Sequence, residues 1–140
     1  MKEIPAKVKE SADSAELLRL AYLGGKGFPH AIPVWFVEID DYYYIATDAG
    51  HAKSRALRED GRAGWVIDGG TNPKYWGVSY AGRGEEVSDS LLRARIYRAM
   101  GEKYFTSADD PNIERIFGKV DDPNTVYFRL KPESVSSWEY

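Results

Sequence analysis

Lys53, Arg55, Arg58 and Arg62 fall within ten residues of a chain that is otherwise acidic, with a net charge of −3 and a pI near 5.4. The spacing predicts a short helix over 52–60 (AKSRALRED), with Gly61 at the position that ends one. A helix N-terminus offers unpaired N–H groups and the positive end of a dipole, so cations beside it make an anion site. The segment just ahead is apolar and aromatic. It predicts two strands, 32–39 and 42–47, joined by a turn at Asp40-Asp41. An aromatic hairpin running into a cationic helix start suits a flat aromatic molecule with a phosphate tail. Basic residues on a short helix also form an ordinary solvated face, and the residues alone leave both readings open. Lysine at the positive end of a helix is disfavoured by ~0.3–1 kcal/mol, which a bound phosphate would offset. Arg55 also has Glu59 at i,i+4 as an alternative partner, worth ~0.2–0.5 kcal/mol.

The elements that must hold this turn follow from the same patterns. The first strand, 32–39, is apolar on both alternating faces, which predicts cover on both sides. Residues 1–9 read as a polar arm and 11–18 as a helix start, with Ser11 or Asp13 as cap. Residues 19–23 read as a strand and Gly24–Gly27 as a turn. A strand over 62–68 precedes a turn at 69–73. The next strand, 75–87, carries Gly77, Gly82 and Gly84, which predict bulges or sharp curvature. The one long helical pattern covers 89–105, and a shorter helix over 113–117 ends at Gly118. Residues 125–131 form the last strand. Strands in hairpin succession with tight turns predict a mainly β, α+β fold: an antiparallel barrel with peripheral helices.

A chain of 140 residues with 43% hydrophobic and 29% charged residues reads as one soluble domain, 1–140. Having no cysteine, it cannot use disulfides, thiolate metal sites or a cysteine nucleophile. No run has the length of a signal peptide or a membrane span, so the expected location is cytoplasmic, with no membrane partner. Acidic net charge without a long basic stripe argues against nucleic acid. With two histidines and no G-x-S-x-G, neither a metal site nor Ser/His/Asp catalysis is expected. His30 reads as a turn or edge histidine, and His51 lies beside the cationic turn.

Residues 27–36 (GFPHAIPVWF) are similar to the G-x-P-h-x-x-P-V-W-F opening of the FMN-binding split-barrel family, to which pyridoxamine 5′-phosphate oxidase belongs. The likeness continues through 44–47 (YIAT), Lys53 to Leu57, 62–66, the strand 75–87, and 126–138 with its closing Trp. It implies a Greek-key split barrel that binds FMN at a homodimer interface. Carried onto this chain, Thr47, Lys53, Ser54 and Arg55 hold the phosphate, while Pro33, Val34 and Trp35 line the flavin ring. Trp76 and Ser79 are further candidate contacts, although Trp76 also reads as core. Ala56 and Gly61 depart from the Asn and Pro that relatives often carry. The oxidase continues past its Trp with Arg and His for its pyridoxal substrate. Here Glu139 and Tyr140 follow Trp138, so the resemblance implies a chemistry other than vitamin B6 oxidation. Trp138 is expected to pack across the dimer.

The resemblance therefore implies an FMN-dependent oxidoreductase acting on a small molecule. No side chain is named as catalytic, because the cofactor carries the hydride or electron chemistry. Two alternatives keep the fold. One uses the deazaflavin F420, whose longer anionic tail would recruit Arg55 and Arg58. The other is a non-enzymatic flavin- or haem-binding module, with His30 or His51 as the available axial ligands.

Overall fold

The computed structural model describes residues 2–140. One seven-stranded antiparallel sheet runs in the order β2-β1-β5-β6-β7-β4-β3. Its strands are β1 (Leu18–Leu23), β2 (Pro29–Val34), β3 (Val37–Ile39), β4 (Tyr42–Asp48), β5 (Arg62–Thr71), β6 (Lys74–Glu86) and β7 (Thr125–Glu139). The helices are α1 (Ala6–Asp13), α2 (Ala52–Glu59), α3 (Ser90–Tyr104) and α4 (Asn112–Phe117).

Strands β2 and β3 lie at opposite borders of that order, yet only Trp35 and Phe36 separate them. The three Cα steps from Val34 to Val37 reach at most about 11 Å. The sheet must therefore curl until its two borders almost meet. No ladder joins β2 to β3, so the barrel stays split.

Phe36 and Trp35 leave this crossing in opposite directions. Phe36 enters the barrel core with Leu20, Tyr43, Ile45, Trp65, Ile67, Val78 and Phe128. Trp35 joins a second cluster between the outer face of β4 and β7 and helix α3, with Tyr44, Ile96, Met100 and Tyr127. The outer face of β3, β4 and the first half of β7 is thus covered by helices. The outer face of β2, β1, β5 and β6 is not: Ala31 and Ala81 are exposed, and Ala21, Gly64 and Val66 are only partly covered. These small side chains share a flat surface, because Ala31 pairs with Ala21, Ala21 with Gly64, and Gly64 with Ala81.

Several expectations are corrected here. The run 32–39 is not one strand covered on both sides. It breaks at Trp35, and β2 is a border strand whose Ala31 and Pro33 pair with Ala21 and Arg19 of β1 alone among the described strands. The N-terminal segment is not an arm with a helix over 11–18. Helix α1 spans Ala6–Asp13 because Val8 and Ala12, at i and i+4, seal one end of the barrel. Its N-cap is Pro5, without a side-chain cap, and Asp13 instead accepts from the Tyr43 hydroxyl at 2.7 Å. Strand β7 continues eight residues beyond its expected end at Lys131. Its polar second half stays in the sheet because it pairs with β6 all the way to Trp76↔Glu139.

Other expectations hold. The hairpin turn at Asp40 and Asp41 puts both residues at positive φ, 51° and 70°, which aspartate tolerates. A bulge interrupts the β6–β7 ladder at Ala81 and Gly82. Gly77, by contrast, marks no bulge: it stays in register and lies beneath the Trp138 ring of its own chain, where any side chain would collide with the indole.

Candidate functional site

The last residues of β4 and the first turn of α2 bring four of the predicted site residues together. Thr47 points to the barrel side and is almost fully buried at the end of β4. Asp48 then accepts the Gly50 N–H through Oδ1 at 2.7 Å, which tightens the turn into His51, the N-cap of α2. Ser54 is fully buried. Its hydroxyl donates to the Asp48 carbonyl at 2.6 Å and lies 3.4 Å from Thr47 Oγ1. That bond ties the helix start to the strand end. The first amides of α2, at Ala52 and Lys53, have no carbonyl within the helix to bond.

The four cations do not share one place: Lys53 and Arg55 lie at the start of α2, while Arg58 is in its last turn and Arg62 opens β5. Arg58 makes a two-point bond with Glu86, at 2.7 and 3.0 Å. Arg62 does the same with Asp60, at 2.7 Å for each bond, and holds that carboxyl down at about 2. Lys53 and Arg55 make no ion pair among the described residues. Arg55 donates to the Gly50 carbonyl at 3.1 Å rather than to Glu59. Lys53 Nζ lies 3.1 Å from His51 Nδ1. Burial pushes the Lys53 ammonium down from its ordinary value, and the nearby Asp48 carboxylate only partly opposes this. Two cations without ion pairs, the free helix amides and the Thr47 hydroxyl are the kinds of donor that an oxyanion site uses, while the Ser54 proton is already given to the Asp48 carbonyl.

The other predicted residues lie elsewhere in the chain. Pro33 is exposed and Val34 half-buried on border strand β2. The Trp35 indole faces away from the open sheet face and stacks on Tyr104, with ring centroids 4.3 Å apart and planes 6° apart. Ser79 lies on the open face between Val66 and Ser136. Trp76 packs against the barrel end over Gly69. No hydrogen bond or ion pair among the described residues links 33–35 to the cluster at Thr47 and Lys53. His51 is the contact that sequence reasoning left undecided; only its place before Lys53 hinted at it. His30 stacks on Tyr22, with centroids 5.3 Å apart.

No three His, Cys, Asp or Glu side chains among the described residues form a metal-binding group, and no helix is long and apolar enough to cross a membrane.

Comparison with known proteins places this geometry. A search of curated proteins found no match. Among solved structures, the conserved hypothetical protein Rv2991 from Mycobacterium tuberculosis is 24% identical, with a TM-score of 0.84, over 99% of this chain and 86% of that one. A FAD-binding protein from Mesorhizobium loti is 20% identical, with a TM-score of 0.74, over 98% of this chain and 96% of that one. The haem storage protein HutZ from Vibrio cholerae is 19% identical, with a TM-score of 0.75, over 99% and 95%. These likenesses are of fold. The sequence itself matches the family model described as pyridoxamine 5′-phosphate oxidase over residues 4–139, nearly its whole length. The chain belongs to the pyridoxamine 5′-phosphate oxidase family of split barrels.

Proposed function

We propose that the chain is a flavin-dependent oxidoreductase that binds FMN and works as a homodimer on a small-molecule substrate. One observation carries the reading: the β4–α2 turn holds two cations, Lys53 and Arg55, without carboxylate partners, beside the free amides of a helix start. That donor set fits a single terminal phosphate. When bound, the flavin supplies the hydride or electron transfer. The chain supplies binding and orientation: Lys53, Arg55 and Thr47 hold the phosphate, Ser54 ties the helix start to the strand end, and the main chain of residues 33–35 lines the ring.

The flat open face of β1, β2, β5 and β6 suits a second copy of the chain. It would cover small side chains that nothing else covers, including a shallow 260 Å³ hollow lined by Ala21, Leu23, Pro29, Gly64 and Ala81. The FAD-binding neighbour supports a flavin on this fold. Of the two cations that the longer anionic tail of F420 would recruit, Arg58 is held by Glu86 and only Arg55 is without an ion pair, which favours the shorter FMN phosphate. Haem, suggested by the haem-storage neighbour, finds His30 stacked on Tyr22 and His51 engaged with Lys53.

The test is the visible spectrum of the purified protein after FMN addition, followed by reduction with NADH or NADPH. A bound flavin band that bleaches on adding the nicotinamide is expected. A protein that stays colourless at saturating FMN contradicts the reading.

A further inference from the structure

We propose that Lys103 and Tyr104, at the C-terminal end of α3, are positioning residues for segment 33–35, acting through the main chain of Phe36. The functional meaning rests on the reading that this segment lines a flavin ring.

Phe36 is fully buried and belongs to neither flanking strand, so its main-chain groups need partners outside the ladder. Both partners come from the end of α3. The Phe36 N–H donates to Tyr104 Oη at 3.0 Å, and the Phe36 carbonyl accepts from Lys103 Nζ at 2.9 Å. Tyr104 Oη lies 3.0 Å from that same carbonyl and 2.7 Å from the Glu16 carbonyl. A phenol has one proton to give. When it goes to Glu16, Lys103 is the remaining donor to Phe36. The Lys103 ammonium also sits over the Phe36 ring, 3.6 Å from its centroid, a cation–π contact on the same residue. Tyr104 meanwhile carries the Trp35 indole on its ring face.

Both residues of the crossing are therefore gripped from one helix end. This matters because β2 is paired on one side only, to β1. Among the described residues no strand pairs its other side, so the covalent link to Phe36 helps to fix that end of the strand. Lys103 and Tyr104 touch no part of the phosphate cluster, so their loss should disturb ring contacts and leave the phosphate contacts intact.

The experiment compares FMN with riboflavin, which lacks the phosphate, by fluorescence quenching in wild type, Lys103→Met, Lys103→Arg, Tyr104→Phe and the Lys103→Met/Tyr104→Phe double variant. Amide hydrogen exchange of the peptide covering 33–37 is followed in parallel. Lys103→Met should weaken both flavins by the same factor, roughly tenfold, the scale of one lost charge-assisted hydrogen bond. Lys103→Arg should recover most of that loss, and exchange in 33–37 should rise most in the double variant. Equal flavin affinities in Lys103→Met and wild type, or unchanged exchange in the double variant, would overturn the proposal. A wild type that binds neither flavin removes the reading of function alone; the exchange comparison then decides whether the grip on Phe36 exists.

Discussion

Lys53 Nζ lies 3.1 Å from His51 Nδ1, so the uncompensated cation of the β4–α2 turn leans on the N-cap residue of its own helix. An ammonium can only donate, so Nδ1 is the acceptor in this contact. The contact holds Lys53 at the helix start, where the free amides of Ala52 and Lys53 also lie. Asp48 is the opposing charge nearby, and it is committed to the Gly50 amide.

Burial lowers the Lys53 pKa below its ordinary 10.5. A bound phosphate favours the protonated lysine, so binding raises that pKa again. FMN affinity should be greatest below the lowered Lys53 value and should fall as pH rises through it, within the alkaline range under 10.5. Fluorescence titration across that range checks this. Because loss of the Lys103 proton would affect both flavins alike, the Lys53 contribution is read as a fall in the ratio of FMN to riboflavin affinity.

Lys103 gives a pH effect of opposite consequence for stability. Burial pushes its amine down to about 8, while the carboxylates facing it, Asp13, Glu16, Glu38 and Glu102, make no ion pair with it. Between about 8 and 10.5 the folded protein has released a proton that the unfolded chain still holds. Stability therefore rises with pH across that window from this group. Lys53 acts in the same direction, so the contribution is isolated as the difference in Tm between wild type and Lys103→Met. That difference should grow in favour of wild type from pH 8 to 9.5. A difference that is flat or shrinks would contradict it.

Gly77→Ala should destabilise the fold by roughly 1–3 kcal/mol, because the added methyl meets the Trp138 ring and forces it off the sheet. Urea unfolding measures the loss, and red-shifted tryptophan emission should accompany it.

Ala81→Glu places a charge in the middle of the open sheet face, opposite Gly64. If that face binds a second copy, the wild type should sediment as a dimer and the variant as a monomer. A wild type that is monomeric at all concentrations would sink the dimer reading.

Much of the fold was legible because turn residues and alternation agree with it. Asp40-Asp41, Gly61 and Gly118 mark real ends, and the helix over 89–105 appears as Ser90–Tyr104 with Asp89 as its cap. The errors share a cause: a residue's neighbours across the barrel decide more than its own pattern. Residues 32–39 look continuous, but the topology sends them from one border of the sheet to the other. Val8 looks like part of a polar arm, and Ala12 like part of a later helix start, until the barrel end they seal is known. The second half of β7 is polar and pairs anyway. At the candidate site, Thr47, Lys53, Ser54 and Arg55 come together because they are close in sequence. The grip of Lys103 on Phe36 spans 67 residues and leaves no local signal.

The most direct test of a phosphate-anchored flavin site is the ratio of FMN to riboflavin affinity in wild type and Lys53→Met. The account predicts that wild type prefers FMN, and that the variant loses about 10- to 100-fold in FMN affinity, the scale of a charged hydrogen bond, with riboflavin unchanged. Equal binding of FMN by both proteins, or no saturable binding by wild type, would contradict it.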